Sequence, residues 1–240
     1  MNEDMLIEAR NLTMRFGGVT AVDGVDLSVR YGELRCLIGP NGAGKSTFFK
    51  MLSGQLRPSS GDVLLKGRSI VGMPASRIAR LGLGLKTQVP SVFAGLSVGK
   101  GVGLAAGRTL PPSLARQRAA ATLERMGIAH LRDRLVGELA HGQRQLVELA
   151  MVVAPQPDLV LLDEPAAGMT GEEVERLADL VVELTRSGAV IIVEHDMQFI
   201  QRIARIVTVF NRGKVLVEGP ADAVLSDARV RDVYLGREAA

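Results

Sequence analysis

A phosphate-binding loop is visible between residues 39 and 47, which read Gly-Pro-Asn-Gly-Ala-Gly-Lys-Ser-Thr. They fill every fixed position of the pattern G-x-x-x-x-G-K-[ST], in which glycines let successive backbone N–H groups point into one anion-binding cavity. The lysine of this pattern brings a positive charge to the β- and γ-phosphates, and the serine hydroxyl can ligate Mg²⁺. The residues predicted to bind the triphosphate are Gly39, Pro40, Asn41, Gly42, Ala43, Gly44, Lys45, Ser46 and Thr47.

The segments on either side of the loop fit the same chemistry. Residues 34–38 are a short, mostly apolar run typical of a buried strand, and residues 46–52 are compatible with a helix that Ser53 and Gly54 end. A helix that begins at the loop adds its N-terminal dipole to the same anion. The alternative is a glycine-rich turn that fits the pattern by chance, and the order strand, loop, helix argues against it. The chain is therefore predicted to bind a nucleoside triphosphate.

Acidic and histidine side chains follow two further apolar runs. Residues 158–162 are followed by Asp163 and Glu164, and residues 189–193 are followed, one residue later, by His195. Phosphoryl transfer to water needs a charge clamp, a metal and a positioned water. Asp163 is predicted to hold Mg²⁺, and Glu164 to orient or deprotonate the attacking water. Polar residues commonly end strands, so each group alone is ambiguous. Their order after a phosphate loop favours the catalytic interpretation.

The elements that would position these residues are typical of an α/β fold. Apolar runs at 34–38, 158–162 and 189–193 are separated by amphipathic helices such as 171–186. This alternation predicts a parallel sheet, whose ligands bind at the carboxyl ends of the strands. Residues 5–31 alternate instead in the manner of antiparallel strands.

The remaining segments are predicted to be a helical region and a hairpin. Residues 89–155 are mainly helical in pattern, but the four glycines between 99 and 107 predict a frayed or irregular stretch, because glycine costs helix stability. Residues 206–210 and 214–218 flank Asn-Arg-Gly at 211–213, which predicts a hairpin.

Composition limits the class of protein. The 29 basic and 26 acidic residues give a net charge of +3, and aromatic residues are 3% of the chain, so no nucleic-acid partner is expected. No apolar run approaches the ~18 residues that span a bilayer, and the first residues lack the features of a signal peptide. The one cysteine, Cys36, lies in a predicted core strand, which fits a reducing cytoplasm without disulfides.

A five-residue segment connects these motifs to a known family. The chain resembles the ATP-binding cassette, the nucleotide-binding subunit of ABC transporters, over nearly its whole length. The family signature L-S-G-G-Q is represented here by Leu139, Ala140, His141, Gly142 and Gln143. The resemblance implies an α/β P-loop NTPase fold of the ABC-ATPase type, with a mostly parallel core sheet, an N-terminal antiparallel β subdomain and a helical subdomain. It implies a single domain over 1–240, with the core and antiparallel part at 1–88 and 156–240 and the helical subdomain at about 89–155.

The same resemblance implies roles for individual residues. Phe16 would stack on the nucleotide base, and Gln88 would contact Mg²⁺ and sense the membrane partner. Glu164 would be the catalytic glutamate and His195 the switch histidine at the γ-phosphate. The implied catalytic set is thus Glu164, His195 and Gln88, the implied metal ligands are Ser46, Gln88 and Asp163, and the implied cofactors are ATP and Mg²⁺.

The resemblance also implies partners and a location. Two cassettes, identical or different, dimerise head to tail, so that the signature completes the partner's ATP site. Transmembrane permease subunits would bind directly, and a substrate-binding protein would act indirectly. The chain would lie peripherally on the cytoplasmic face of the inner membrane. The signature serine is replaced by Ala140, which removes one hydroxyl donor to the partner's γ-phosphate.

Short motifs narrow the resemblance to a group of importers. Residues 164–170, 193–197 and 233–236 are similar to those of branched-chain amino acid and urea importers, and His141 together with residues 167–170 favours the urea-type ATPase. The alternatives are a lipopolysaccharide-export ATPase, which shares the closing Tyr-Leu-Gly, and a non-transport cassette acting on DNA or the ribosome. The transported substrate is not encoded in this chain.

Overall fold

The computed structural model describes residues 5–88 and 92–235. The predicted start of the helical subdomain at residue 89 and Gly236 of the closing motif lie outside the described residues.

An antiparallel sheet begins the chain. β1 (Met5–Phe16) and β2 (Val19–Arg30) form a long hairpin that turns at Gly17-Gly18. Strands β4 (Ser60–Leu65) and β5 (Arg68–Ser69) complete the order β2-β1-β4-β5. The predicted alternation is confirmed, and both first strands are longer than the runs that the pattern marked.

A second sheet of six strands carries the predicted site. Its order is β10-β9-β3-β8-β7-β6, and all neighbours are parallel except the β9–β10 hairpin. The strands are β3 (Leu34–Ile38), β6 (Leu83–Lys86), β7 (Leu159–Asp163), β8 (Ala189–Val193), β9 (Ile206–Asn211) and β10 (Lys214–Pro220). Every residue of β3, β7 and β8 is buried, as expected for parallel strands covered on both faces.

Helices cover the two faces of this sheet. They are α1 (Lys45–Leu52), α2 (Ala75–Arg80), α3 (Val98–Ala106), α4 (Pro112–Arg125), α5 (His141–Val153), α6 (Gly171–Leu184), α7 (Met197–Ile203), α8 (Ala221–Leu225) and α9 (Ala228–Leu235).

Alternate residues of one strand enter different hydrophobic cores, because successive side chains of a strand point to opposite faces of the sheet. Val160 and Leu162 pack in the core that contains α3–α7, whereas Leu159 and Leu161 pack in the core shared with α1 and the antiparallel sheet.

The prediction of an irregular stretch at 99–107 is wrong, because residues 98–106 form α3. Tertiary packing explains the difference. A Cβ added at Gly99 would lie 2.9 Å from Cγ of Arg132. The absence of a side chain at Gly99 therefore lets α3 pack closely against the segment that contains Arg132, after α4. Val102 is fully buried on the inner face. Burial of this helix outweighs the cost of about 1 kcal/mol that each glycine imposes on a helix.

Across residues 5–88 and 92–235, no helix combines the length and the apolar character needed to cross a bilayer.

Candidate ATP-binding and hydrolysis site

The phosphate loop connects the carboxyl end of β3 to α1, near the middle of the six-stranded sheet. Gly39, Gly42 and Gly44 have φ angles of 140°, 78° and 100°. These left-handed backbone angles curl the chain so that its N–H groups converge. Gly44 is the N-cap of α1, and the first turn of this helix has no acidic residue to compete with a bound anion.

Lys45 lies over this loop. Its Nζ donates hydrogen bonds to the carbonyl oxygens of Gly39, at 2.6 Å, and Pro40, at 2.9 Å. Burial lowers the pKa of Lys45, and the negative charges of Glu164 and Asp163 partly counteract this effect. The ammonium group therefore lies in an environment where an added anion would favour its charged form.

Gln88, Glu164 and His195 meet at the carboxyl ends of three adjacent strands. Gln88 Nε2 donates a 2.9 Å hydrogen bond to Glu164 Oε2, and His195 Nδ1 lies 3.6 Å from Glu164 Oε1. Since β6, β7 and β8 are neighbours in the sheet, the residues that follow them are brought to one edge. The three residues predicted as catalytic are thus in one cluster.

Glu164 has a strained backbone. Its φ angle is +45°, which is unusual for a residue with a side chain, and its N–H donates to the carbonyl of Val193 at 2.9 Å. A non-glycine residue in this region costs about 1–3 kcal/mol, and the surrounding structure must maintain it. The bond to Val193 holds this backbone conformation against the end of β8.

The predicted metal ligands supply hard oxygen donors. A hydroxyl from Ser46, an amide carbonyl from Gln88 and a carboxylate from Asp163 match the oxygen donors that Mg²⁺ selects. Gln88 fits this use, because its Nε2 is bonded to Glu164 and its carbonyl oxygen is the remaining donor atom. Burial, and then the charge of Glu164, raise the pKa of Asp163. Within the described ranges no three His, Cys, Asp or Glu side chains form a metal cluster, so an ion here would rely on ligands such as water and phosphate.

Phe16 ends β1 with 49% of its surface exposed. The strand that returns from it, β2, passes the phosphate loop, since the Ala21 carbonyl lies against Gly44. The turn between β9 and β10 contacts the same loop, because Gly213 N–H donates to the carbonyl of Ala43 at 3.0 Å. The β1–β2 hairpin therefore carries the exposed Phe16 ring at its turn and contacts the phosphate loop a few residues further along β2.

The signature residues Leu139, Ala140, His141, Gly142 and Gln143 surround the start of α5. Two of them contact the segment that runs from β7 into the first turn of α6. His141 Nε2 lies 3.1 Å from the carbonyl oxygen of Ala167, and the Glu173 carboxylate packs against Gly142. Ala140 is the N-cap of α5 and has no side-chain acceptor for the free N–H groups of the first turn.

Two side chains contribute contacts that the sequence interpretation missed. Glu194, only 2% exposed, accepts hydrogen bonds from the N–H groups of Ala166 at 3.1 Å, His195 at 2.9 Å and Asp196 at 3.3 Å. It therefore fixes the loop after Glu164 to the loop that carries His195. The signal was a carboxylate directly after a fully apolar strand. The second is Tyr234, whose hydroxyl accepts from Gly39 N–H at 2.8 Å.

A buried ion pair links the strand before Gln88 to the signature helix. Lys86 Nζ lies 3.6 Å from Glu148 Oε2, and both side chains are less than a tenth exposed. Burial lowers the pKa of Lys86, and the Glu148 charge acts in the opposite direction. This pair joins β6 to α5.

Comparisons with known proteins agree with this arrangement. The family profile described as "ABC transporter" matches residues 22–167, and the one described as "Branched-chain amino acid ATP-binding cassette transporter" matches residues 214–240. The high-affinity branched-chain amino acid transport ATP-binding protein LivG of Escherichia coli (strain K12) is 34% identical, with 96% of this chain and 98% of that protein aligned. The lipopolysaccharide export system ATP-binding protein LptB of Acidithiobacillus ferridurans is 36% identical over 96% of this chain and 97% of that protein.

A solved structure gives the same fold. The crystal structure of the ADP conformation of an ATP-binding cassette of an ABC transporter matches with a TM-score of 0.86 and 27% identity, covering 97% of this chain and 99% of that one. This likeness confirms the predicted α/β P-loop NTPase fold. The chain belongs to the ABC transporter family and is one of its ATP-hydrolysing, nucleotide-binding subunits.

Proposed function

We propose that this ATPase energises the import of branched-chain amino acids or related small polar solutes, urea included. The observation that carries the catalytic part is the convergence of Gln88, Glu164 and His195 beside the phosphate loop. The import part is supported by the match of residues 214–240 and by the likeness to LivG. The urea-type reading from His141 and residues 167–170 remains a prediction.

The proposed chemistry assigns each side chain one task. Lys45 and the N–H groups of the loop bind the phosphates, and the Phe16 ring stacks on the base. Glu164 orients the attacking water or accepts its proton, and Gln88 and His195 fix the carboxylate, with His195 also reaching the γ-phosphate. Ser46, Gln88 and Asp163 would hold Mg²⁺, which neutralises phosphate charge during transfer.

Exchange of Glu164 for glutamine tests the catalytic assignment. Glu164→Gln removes the carboxylate that acts on water but preserves its shape, so we expect ATP binding to persist while steady-state hydrolysis is lost. Glu124→Gln, at an exposed position of α4, is the matched control and should leave both unchanged. Hydrolysis by Glu164→Gln at the wild-type rate would remove Glu164 from the mechanism.

A second cassette is part of the proposal. In the described residues, the signature lies at the N-terminus of α5 and takes no part in the contacts that join Gln88, Glu164 and His195, and we propose that it completes the ATP site of a partner cassette. Two nucleotides would then be enclosed between each phosphate loop and the opposing signature, whether the partner is identical or different.

Membrane attachment is proposed at a groove beside Gln88. A cavity of about 850 Å³ lies between β6 and helices α2, α3 and α5, and its lining includes Phe93 and Leu104, which are 70% and 64% exposed. Because both side chains line the same cavity, they form a grouped apolar surface, and exposed apolar patches mark protein interaction sites. We propose that a permease subunit docks here, at the cytoplasmic face of the inner membrane, and that the chain divides into a core and a helical subdomain near residues 89 and 155.

Lipopolysaccharide export is the second candidate, because the chain is 36% identical to LptB. ATPase measurements on the complex with its membrane subunits in proteoliposomes separate the two. Stimulation by a branched-chain amino acid or urea, with the binding protein present, supports import. Stimulation by lipopolysaccharide alone supports export.

A further inference from the structure

The C-terminal helix reaches the phosphate loop. Tyr234 in α9 accepts a 2.8 Å hydrogen bond from the N–H of Gly39, the first residue of the loop, although 195 residues separate them. Tyr234 belongs to the segment that matches the branched-chain amino acid cassette profile. The contact therefore connects a C-terminal segment of the chain to the nucleotide site.

Packing, rather than this single bond, places the helix. Val230 of α9 is 3% exposed and belongs to the main hydrophobic core. The carboxylate of Asp227 accepts the N–H of Arg229 at 2.8 Å and fixes the start of the helix. Burial raises the pKa of Tyr234, and the hydrogen bond from Gly39 acts in the opposite direction. Tyr234 remains 38% exposed, and its hydroxyl is the acceptor for the Gly39 N–H.

Gly39 is the first residue of the loop after β3, and both its N–H and its carbonyl oxygen form hydrogen bonds. Its N–H is bonded to Tyr234, and its carbonyl oxygen accepts from Lys45 Nζ at 2.6 Å. Its φ angle of 140° and its closeness to the Phe210 carbonyl, which a Cβ would overlap, exclude any residue with a side chain. A small rotation at Gly39 would displace the loop and Lys45 together.

We propose that Tyr234 is a positioning residue for nucleotide binding, whose hydroxyl fixes Gly39 so that the phosphate loop and Lys45 are preorganised for the triphosphate. Without this bond, the loop must be ordered when ATP binds, and that ordering reduces affinity. The proposal concerns one subunit alone and does not depend on the cassette dimer or on the transported solute.

Tyr234→Phe in the full chain tests this role, because it removes only the hydroxyl. A neutral hydrogen bond corresponds to about a two- to tenfold change in an equilibrium constant. We therefore expect the Kd for ATP, measured by calorimetry, to rise by about two- to tenfold. The KM for ATP should rise in parallel while kcat at saturating ATP remains the same. Tyr31→Phe removes the other tyrosine, which is exposed after β2, and is the matched control.

The outcomes separate this inference from the function itself. Equal Kd values for ATP in the wild type and Tyr234→Phe would overturn the inference and leave the ATPase assignment intact. A lower kcat with unchanged Kd and a lower Tm would indicate a purely structural role and would also overturn it.

Tyrosine emission provides a second measurement if Tyr234→Phe does not fold. The chain has no tryptophan and two tyrosines, so in Tyr31→Phe the emission of tyrosine comes from Tyr234 alone. Because the hydroxyl already holds Gly39 before ATP binds, ATP titrated into this variant should leave the Tyr234 emission constant, and the Kd for ATP by calorimetry should equal the wild-type value. A change in emission at saturating ATP would show that the contact forms or rearranges with the nucleotide, and it would contradict the proposal.

Discussion

Gln88 and Glu164 are joined by a 2.9 Å hydrogen bond from Nε2 to Oε2, across 76 residues of sequence. β6 and β7 are adjacent and parallel, so the residues that follow them face each other at the sheet edge. The bond leaves Glu164 Oε1 directed toward His195. Gln88 therefore fixes the orientation of the carboxylate that we assign to the attacking water.

Removal of the Gln88 amide should slow hydrolysis more than it weakens binding. We expect Gln88→Ala to lower kcat by at least about tenfold, because a misplaced catalytic group can cost up to about a hundredfold in rate. The Kd for ATP should change little. Gln117→Ala, at an exposed position of α4, controls for the loss of a glutamine. An unchanged kcat in Gln88→Ala would mean that Glu164 is oriented by other groups.

Glu194 should be sensitive even to an isosteric change. In Glu194→Gln an N–H₂ group replaces one of the two oxygens that accept from backbone N–H groups. The new side-chain N–H₂ then faces a backbone N–H, and neither group has an acceptor. We expect a loss of about 1–3 kcal/mol in the free energy of unfolding and a lower kcat, since the loops of Glu164 and His195 lose their common acceptor. Urea titration and steady-state kinetics measure the two effects. Glu172→Gln, at an exposed position of α6, should change neither, and equal stability of the two variants would argue against this role for Glu194.

Asp163→Asn should stabilise the chain in a pH-dependent manner while abolishing activity. Burial and Glu164 raise the pKa of Asp163 above its ordinary value of 3.8. The folded state therefore binds this proton more tightly than the unfolded state, so wild-type stability falls as pH rises from that value through the folded pKa. Asparagine has no such loss, and the stability difference should be larger at pH 8 than at pH 4.

Urea titrations of wild type and Asp163→Asn at both pH values provide the measurement. Asp133→Asn, at an exposed position, should show no pH-dependent difference. A constant difference between pH 4 and pH 8 would show that the Asp163 charge is not penalised in the folded state.

Ala140→Ser should act on two levels. A serine N-cap gives α5 a side-chain acceptor, so the isolated chain should gain about 1 kcal/mol of stability by urea unfolding. In the assembled transporter the hydroxyl restores a hydrogen bond to the partner's γ-phosphate, worth about 1.5–3 kcal/mol, so the ATPase rate should rise by about ten- to a hundredfold. Ala121→Ser, in the middle of α4, tests for non-specific effects. A stabilised chain whose assembled complex is no faster would separate capping from catalysis.

Local patterns predicted much of the site. The phosphate loop is specified by consecutive residues, and the meeting of Gln88, Glu164 and His195 follows from three strand ends in one parallel sheet. The structure places Phe16 at the end of β1, whereas its role depends on a bound nucleotide and stays a prediction.

Contacts between distant parts of the chain could not be predicted. The bonds of Glu194 to Ala166 and of Tyr234 to Gly39 connect residues 28 and 195 positions apart, and no periodicity encodes them. The wrong prediction for residues 99–107 has the same origin, because a helical propensity does not include the packing of Gly99 against Arg132.

Helix α5 is attached near its beginning and in its second half. His141 lies against the Ala167 carbonyl, and Glu148 pairs with the buried Lys86 on the strand that leads to Gln88. Separation of a buried ion pair is strongly unfavourable, and a helix of 13 residues is a stiff rod about 20 Å long. We therefore expect any displacement of the strand before Gln88 to move α5 and its signature residues together as one rigid element.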